Sequence, residues 1–118
     1  MRWSFGLLAG LLLTPVPAAA QNAPLPPGNV TIVVPLAPGG PVDVVARMLA
    51  DKVGRRTKRT IVVENRPGAA GNIGGAAVAK AAPNGLTWLL MVDSLYTINP
   101  HVYARQGFDP SKDLSSDR

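Results

Sequence analysis

The chain has 118 residues, of which 47% are hydrophobic and 16% charged, a composition typical of one small folded domain and not of a disordered chain. It contains no cysteine, which excludes a disulfide framework, a thiolate metal site and a cysteine nucleophile. The formal net charge of +5 favours anionic ligands by long-range attraction.

The first 20 residues have the layout of a secretory signal peptide. A single early cation at Arg2 precedes an apolar stretch, and the small residues Ala18–Ala20 end the segment. The apolar stretch is shorter than the ~20 residues that cross a bilayer, so we expect cleavage near Ala20 and export to a periplasm, with no membrane insertion afterwards. Residues 21–28 contain three prolines, which predicts an extended lead-in to a folded part at 29–118.

Three apolar runs alternate with two helical patterns after the lead-in. Val30–Val34 is too apolar for simple alternation, which is typical of a strand covered on both faces. Thr60–Glu64 is predicted to be a second short strand and Leu86–Val92 a third, buried strand. Apolar residues recur at three- and four-residue steps over Pro41–Val53, and alanine dominates Ile73–Ala82, so both segments are predicted to be helices. This order predicts an α/β fold, a parallel βαβαβ sheet with right-handed crossovers.

The loop after the first strand combines two glycines with the start of a helix. Gly39 and Gly40 carry no side chains, so free amides and the positive end of the helix dipole are predicted to face solvent, where a carboxylate or phosphate would bind. A tight turn that needs glycine only for its backbone angles is the alternative. Asp43 is predicted to cap free amides of the first helical turn; ligand contact is its alternative role.

The loops after the second and third strands add a second helix start and a hydroxyl. Gly68 and Gly71 precede the alanine-rich helix, for which Asn72 is the predicted N-cap. Arg66 either binds a carboxylate bidentately or pairs with a structural partner. Ser94 lacks the flanking glycines of a nucleophile elbow and is interpreted as a hydrogen-bonding hydroxyl. Because parallel strands end at one edge of a sheet, the three loops are predicted to line one ligand site.

The sequence gives little support to an enzyme. It contains neither the G-x-G-x-x-G dinucleotide fingerprint nor the G-x-x-x-x-G-K-[ST] phosphate loop. Asp43 and Asp93 have no positioned base or metal beside them to form a catalytic pair, and the lone His101 is expected on the surface. We therefore predict a binding module without catalysis, metal or cofactor. A small nucleotide- or phosphate-using enzyme on a half Rossmann sheet is the alternative.

A run of cations lies between the first helix and the second strand. Its members are Arg55, Arg56, Lys58 and Arg59. No aromatic side chain is interleaved with them, so we interpret the run as a solvated corner and expect no nucleic-acid partner.

Four stretches, taken in order, resemble the substrate-binding receptors of tripartite tricarboxylate transporters, the Bug family. They are Ile32–Arg47 (IVVPLAPGGPVDVVAR), Val62–Gly74 (VVENRPGAAGNIG), Val78–Leu90 with AxAAPNG at its centre, and Ile98–Pro100 (INP). The resemblance covers nearly all of 26–112. It implies a periplasmic type II binding-protein fold, in which two α/β lobes close on a small carboxylated solute and deliver it to membrane transporter subunits.

The resemblance also implies which residues contact the solute. In that family the loops after the first two strands supply backbone and small polar contacts, and a short polar stretch follows the third strand. The matching positions here are Pro38, Gly39, Gly40 and Asp43 on one side, Ala69, Ala70, Gly71 and Asn72 on the other, and Ser94 after the third strand. Asp93 and Tyr96 depart from the smaller residues usual in the third loop.

The end of the sequence also departs from the family pattern. Family members continue past Asp109–Asp113 through the rest of the first lobe and a whole second lobe, whereas 114–118 leaves the pattern. The chain is therefore interpreted as a truncated or frameshifted part of lobe one, and weak or absent binding is expected, because a one-walled cleft does not exclude water from both sides of a solute. A non-functional relic is the other reading.

Overall fold

The computed structural model describes residues 26–114, which are organised around a three-stranded parallel sheet. Strand β1 (Val30–Val34) lies in the centre, between β2 (Ile61–Asn65) and β3 (Thr87–Leu89). Both pairings are parallel, as the alternation of strands and helices predicted. The predicted α/β class and the bounds of β1 are confirmed.

Two longer helices pack on the sheet and three short ones follow it. Helix α1 (Pro41–Thr57) packs across β1 and β2, whereas α2 (Asn72–Ala79) packs against β3 and β1. The short helices are α3 (Ser94–Thr97), α4 (Asn99–Val102) and α5 (Pro110–Asp113).

The hydrophobic core forms where α1 crosses β1. Ile32 and Val34 alternate along the strand and so point to the same face, where they meet Ala46 and Ala50, one helical turn apart. Burying one such branched side chain contributes about 1.5–3 kcal/mol. The small alanines let the helix approach the sheet closely, which holds the start of α1 at the carboxyl end of β1.

Helix α1 is one turn longer than predicted. It continues past Val53 to Thr57 and ends at Lys58, whose φ of 53° is left-handed and whose amide donates to the Gly54 carbonyl. Arg55 and Arg56 are therefore part of the last helical turn instead of a link between the helix and the second strand. Arginine and lysine are good helix formers, and cations near a helix C-terminus interact favourably with its dipole.

The predicted second helix and third strand were too long. Helix α2 ends at Ala79 instead of Ala82, and β3 spans Thr87–Leu89 instead of Leu86–Val92. Among the described residues β3 pairs with β1 alone, and this pairing runs only from Thr31 and Thr87 to Val33 and Leu89. The predicted burial of this run is also wrong, because β3 is half-buried and Val92 is 40% exposed.

The predicted signal peptide at 1–20 and most of the lead-in at 21–28 lie outside the described residues. Within residues 26–114, no helix has both the length and the apolar character that crossing a bilayer requires.

Candidate ligand-binding site

The loops that follow the strands start side by side at the carboxyl edge of the sheet. The amide of Arg66, directly after β2, donates to the Val34 carbonyl at 2.8 Å. On the other side of β1, the amide of Leu90 donates to the Val33 carbonyl at 3.0 Å. The sheet therefore brings the three loops to one edge, where open α/β sheets bind ligands.

Asp43 is the centre of a hydrogen-bond network in the first loop. Its buried carboxylate accepts from the Gly39 amide at 2.9 Å and from Arg47 Nε and Nη2 at 3.0 and 3.1 Å. Asn65 Nδ2, at the end of β2, donates to the same carboxylate at 3.0 Å and to the Leu36 carbonyl at 3.2 Å. Both carboxylate oxygens are thus engaged within the chain, so Asp43 fixes the shape of the loop.

The network also determines the charge state of Asp43. Hydrogen bonds from Arg47, then from the Gly39 amide and from Asn65, lower the pKa of Asp43 to about 2, against the opposing effect of burial. The same contact raises the pKa of Arg47. The two side chains form an ion pair of zero net charge, so the carboxylate does not leave a net negative charge at the start of α1.

The prediction that Gly39 offers a free amide is wrong, because that amide donates to Asp43. Gly39 has a φ of 85°, a left-handed value that glycine adopts without a steric penalty. Gly40 is the N-cap of α1 and makes no side-chain cap. Pro41 has no amide hydrogen, and the Val44 amide donates to the Gly40 carbonyl at 3.0 Å. The amides at this terminus that donate to no atom of the described residues are therefore those of Gly40, Val42 and Asp43. Pro38, which precedes Gly39 in the same loop, is exposed.

The second loop contains four consecutive residues with positive φ. The values are 127° at Gly68, 47° at Ala69, 52° at Ala70 and 92° at Gly71. A left-handed conformation costs an alanine roughly 1–2 kcal/mol, and such strain is concentrated at functional sites. Within the described part of the chain, the amides of Ala69 and Ala70 donate to no other atom. Successive amides in such a turn form a concave surface that attracts anions.

The predicted capping role of Asn72 is wrong. Gly71 is the N-cap, and Asn72 is the first residue of α2, with its side chain buried. Asn72 Oδ1 accepts from Asn99 Nδ2 at 2.8 Å, whereas Asn72 Nδ2 is buried without a partner in the described structure. The left-handed Gly71 lets the chain enter the helix without a side-chain cap.

An apolar side chain of the third loop packs against the second loop and α2. Ser94 begins α3, and the neighbouring Leu95 is buried against Gly71 and Gly75. The Ser94 hydroxyl makes no hydrogen bond to the part of the chain that the structure describes. Arg66 pairs with Glu64 at 2.8 Å, which is the structural role named as one of its two alternatives.

Three residues whose side chains form hydrogen bonds around the site were missed by sequence reasoning. Arg47 stands four residues after Asp43 on a helix, and this spacing could have identified the pair. Asn65 and Asn99 gave no local signal, because their partners lie far away in the sequence. Among residues 26–114, no three histidine, aspartate or glutamate side chains form a cluster that could hold a metal ion.

The sequence matches the family described as "Tripartite tricarboxylate transporter family receptor" over residues 45–116. A UPF0065 protein from the TAR-I ttuE-ttuC' intergenic region of Agrobacterium vitis is 39% identical over 93% of this chain and 31% of its own length. The chain therefore spans about a third of the length of the curated relatives that it matches.

Solved structures of periplasmic binding proteins share the fold. BugD is 44% identical with a TM-score of 0.67, over 72% of this chain and 28% of BugD. A Rhodopseudomonas palustris protein solved with adipate is 35% identical with a TM-score of 0.68, over 72% and 29% of the two chains. MatC from the same organism, with bound malate, is 34% identical with a TM-score of 0.62, over the same shares. The predicted fold, a portion of a periplasmic binding-protein lobe, is confirmed.

Proposed function

The chain belongs to the tripartite tricarboxylate transporter receptor family, as its motifs indicated, and from this premise we propose that residues 29–118 form one wall of a binding site for a small carboxylate. One observation carries the proposal: the uncapped start of α1 and the left-handed turn before α2 lie at the same edge of the sheet. Both present backbone amides, which bind carboxylates without a lysine or arginine.

The proposed site residues fall into two roles. Gly40, Ala69 and Ala70 offer backbone amides to the solute, and Ser94 adds a hydroxyl. Positioning is the role of Asp43, whose carboxylate is engaged within the chain. Of the remaining candidates, Pro38 and Gly39 shape the first loop, and Gly71 and Asn72 form the start of α2.

The proposed solute is a dicarboxylate, because malate and adipate are the ligands of two neighbours that share the fold. In this proposal, segment 1–20 is a signal peptide that directs export. The protein then binds its solute in the periplasm and passes it to the membrane subunits of a tripartite transporter. It acts as a receptor and catalyses no reaction. Since a single wall leaves one side of the solute in water, we expect affinity on the order of millimolar for the chain alone.

The proposal is tested by titrating the 15N-labelled chain with malate, adipate and, as a control, ATP. We expect saturable shifts of the backbone amide signals of Gly40, Ala69 and Ala70 with a dicarboxylate. Shifts confined to other regions, or shifts caused by ATP alone, would contradict the proposal and support the nucleotide-enzyme alternative.

Gly40→Val tests the contribution of the α1 terminus. Gly40 has a φ of −78°, which any residue adopts, and a Cβ there would lie 3.7 Å from its nearest neighbour, the Ala37 carbonyl oxygen. We expect loss of the dicarboxylate shifts and a small drop in melting temperature, because valine is a poorer N-cap than glycine. Ala82→Val, which places a valine at an exposed position after α2, is the control and should bind as the parent chain does.

A further inference from the structure

Asn99 connects the third loop to the strained turn of the second. Its side chain is buried at the start of α4. Its Nδ2 donates to the Ala70 carbonyl at 2.9 Å and to Asn72 Oδ1 at 2.8 Å. An amide nitrogen has two hydrogens, so both are used in these two bonds.

The direction of the Asn99–Asn72 contact is determined by this geometry. Rotating the Asn72 amide by half a turn would bring two donor groups together, so Asn72 must accept. Its own Nδ2 consequently donates to no atom of the described residues, although it is buried. A buried donor without a partner is costly, which indicates that the pair is retained for the geometry that it imposes.

The geometry in question is that of the left-handed turn. Ala70 has a φ of 52° and a ψ of 36°, a conformation that an alanine keeps only when its surroundings hold it there. We propose that Asn99 is a positioning residue of the carboxylate site, which holds Ala70 and Asn72 so that the Ala69 and Ala70 amides stay aligned. The consequence for the ligand rests on the proposed function; the consequence for the turn does not.

The primary test is Asn99→Asp. The new carboxylate has almost the same shape and can accept from a rotated Asn72 amide, but it cannot donate to the Ala70 carbonyl. We expect the HN–Hα couplings and Cβ shifts of Ala69 and Ala70 to leave the left-handed range. Malate should bind about 3- to 10-fold more weakly, the range that one lost hydrogen bond accounts for. His101→Ala, an exposed change on the same short helix, is the control and should leave both readouts unchanged.

A glycine rescue separates positioning from general stabilisation. Glycine adopts positive φ without steric penalty, so Ala70→Gly added to Asn99→Asp should restore malate affinity toward that of the parent chain. Ala76→Gly added to the same variant is the matched control, because Ala76 lies within α2, and it should restore nothing. Because Ala70→Gly also relieves strain in the folded state, melting temperatures are measured beside the affinities, and a recovered melting temperature without recovered affinity would contradict positioning.

Each outcome decides the inference. Unchanged couplings and affinity in Asn99→Asp would overturn it, and so would failure of Ala70→Gly to rescue. If the parent chain responds to neither malate nor adipate, the proposed function fails, while the couplings in Asn99→Asp still decide the role of Asn99. If Asn99→Asp does not fold, Asn99→Ser with the same couplings replaces it.

Discussion

At the scale of single residues, two aspartates on α1 show how burial changes the role of an aspartate–arginine pair spaced four residues apart. Asp43 and Asp51 each stand four residues before an arginine with which they form an ion pair. The side chain of Asp51 is 56% exposed, whereas that of Asp43 is 4% exposed and also receives bonds from a loop amide and from Asn65. An exposed pair contributes little, but the buried carboxylate joins α1, the first loop and β2.

The stability of the protein should therefore depend on pH through Asp43. Its folded pKa of about 2 lies below its ordinary value of 3.8, so the ionised group stabilises the folded state above the unfolded pKa. This stabilisation should be lost as the pH falls from about 4 through about 2. The pKa of Asp109 is also lowered to about 2, by Ser111 and Lys112. The pH dependence of the melting temperature of the parent chain therefore contains contributions from both aspartates. Melting temperatures measured between about pH 2 and pH 7 test this dependence.

Asp43→Asn isolates the contribution of Asp43. The variant should melt lower than the parent chain at neutral pH, and the difference should shrink toward pH 2, where the parent loses the same charge. Asp51→Asn, with the same spacing to its arginine but an exposed side chain, should change the melting temperature much less. Equal effects of the two substitutions would contradict the role given to the buried network.

At the scale of elements, the glycines of α2 are required by close contacts with the segments that follow β1 and β2 and with Phe108. A Cβ on Gly74 would lie 2.7 Å from Pro35 Cβ and 3.0 Å from the Arg66 carbonyl oxygen. A Cβ on Gly75 would lie 2.4 Å from the Phe108 ring. The small face of α2 was apparent from its composition, whereas the surfaces that it packs against were not.

Gly74→Ala should consequently destabilise the protein. Overpacking against backbone atoms that cannot move costs about 1–3 kcal/mol, which should exceed the gain of about 1 kcal/mol in helix propensity. Urea unfolding measures the difference. Lys80→Ala, an exposed change at the end of the same helix, should remain within about 0.5 kcal/mol. A more stable Gly74→Ala variant would mean that α2 does not lie against Pro35.

At the scale of the whole molecule, one flank of the described structure is apolar and exposed. Val45 is 54% exposed and Met48 58%, and Val45 lies beside Leu90 and Met91, which follow β3. The outer edge of β3 is unpaired within residues 26–114. Unpaired edges and large apolar patches promote association between chains.

We therefore expect the purified chain to self-associate as its concentration rises, and Val45→Lys to reduce this association. Because Val45 is half exposed, the substitution should change stability by no more than about 0.5 kcal/mol. Sedimentation velocity over a concentration series provides the measurement. Val62→Lys, an equal change on the opposite edge strand, should leave association unaltered if the contact runs through α1 and β3.

The sequence by itself determined the parts of this protein that depend on local patterns. Runs of β-branched residues specified β1 with correct bounds, and three- and four-residue steps located α1 up to its last turn. The order of these elements was enough to predict a parallel sheet whose loops share one edge, and the glycine-rich loop motifs were enough to identify the family.

Only the tertiary structure decided what the polar side chains of those loops do. Asp43 meets Asn65 across 22 residues and Asn72 meets Asn99 across 27, and no local pattern encodes either contact. Each side-chain amide or carboxylate can cap a helix, bind a ligand or pair with another side chain. The local sequence around it does not determine which of these roles it has. Folding selects among them because a buried polar group is stable only where the fold supplies its partner.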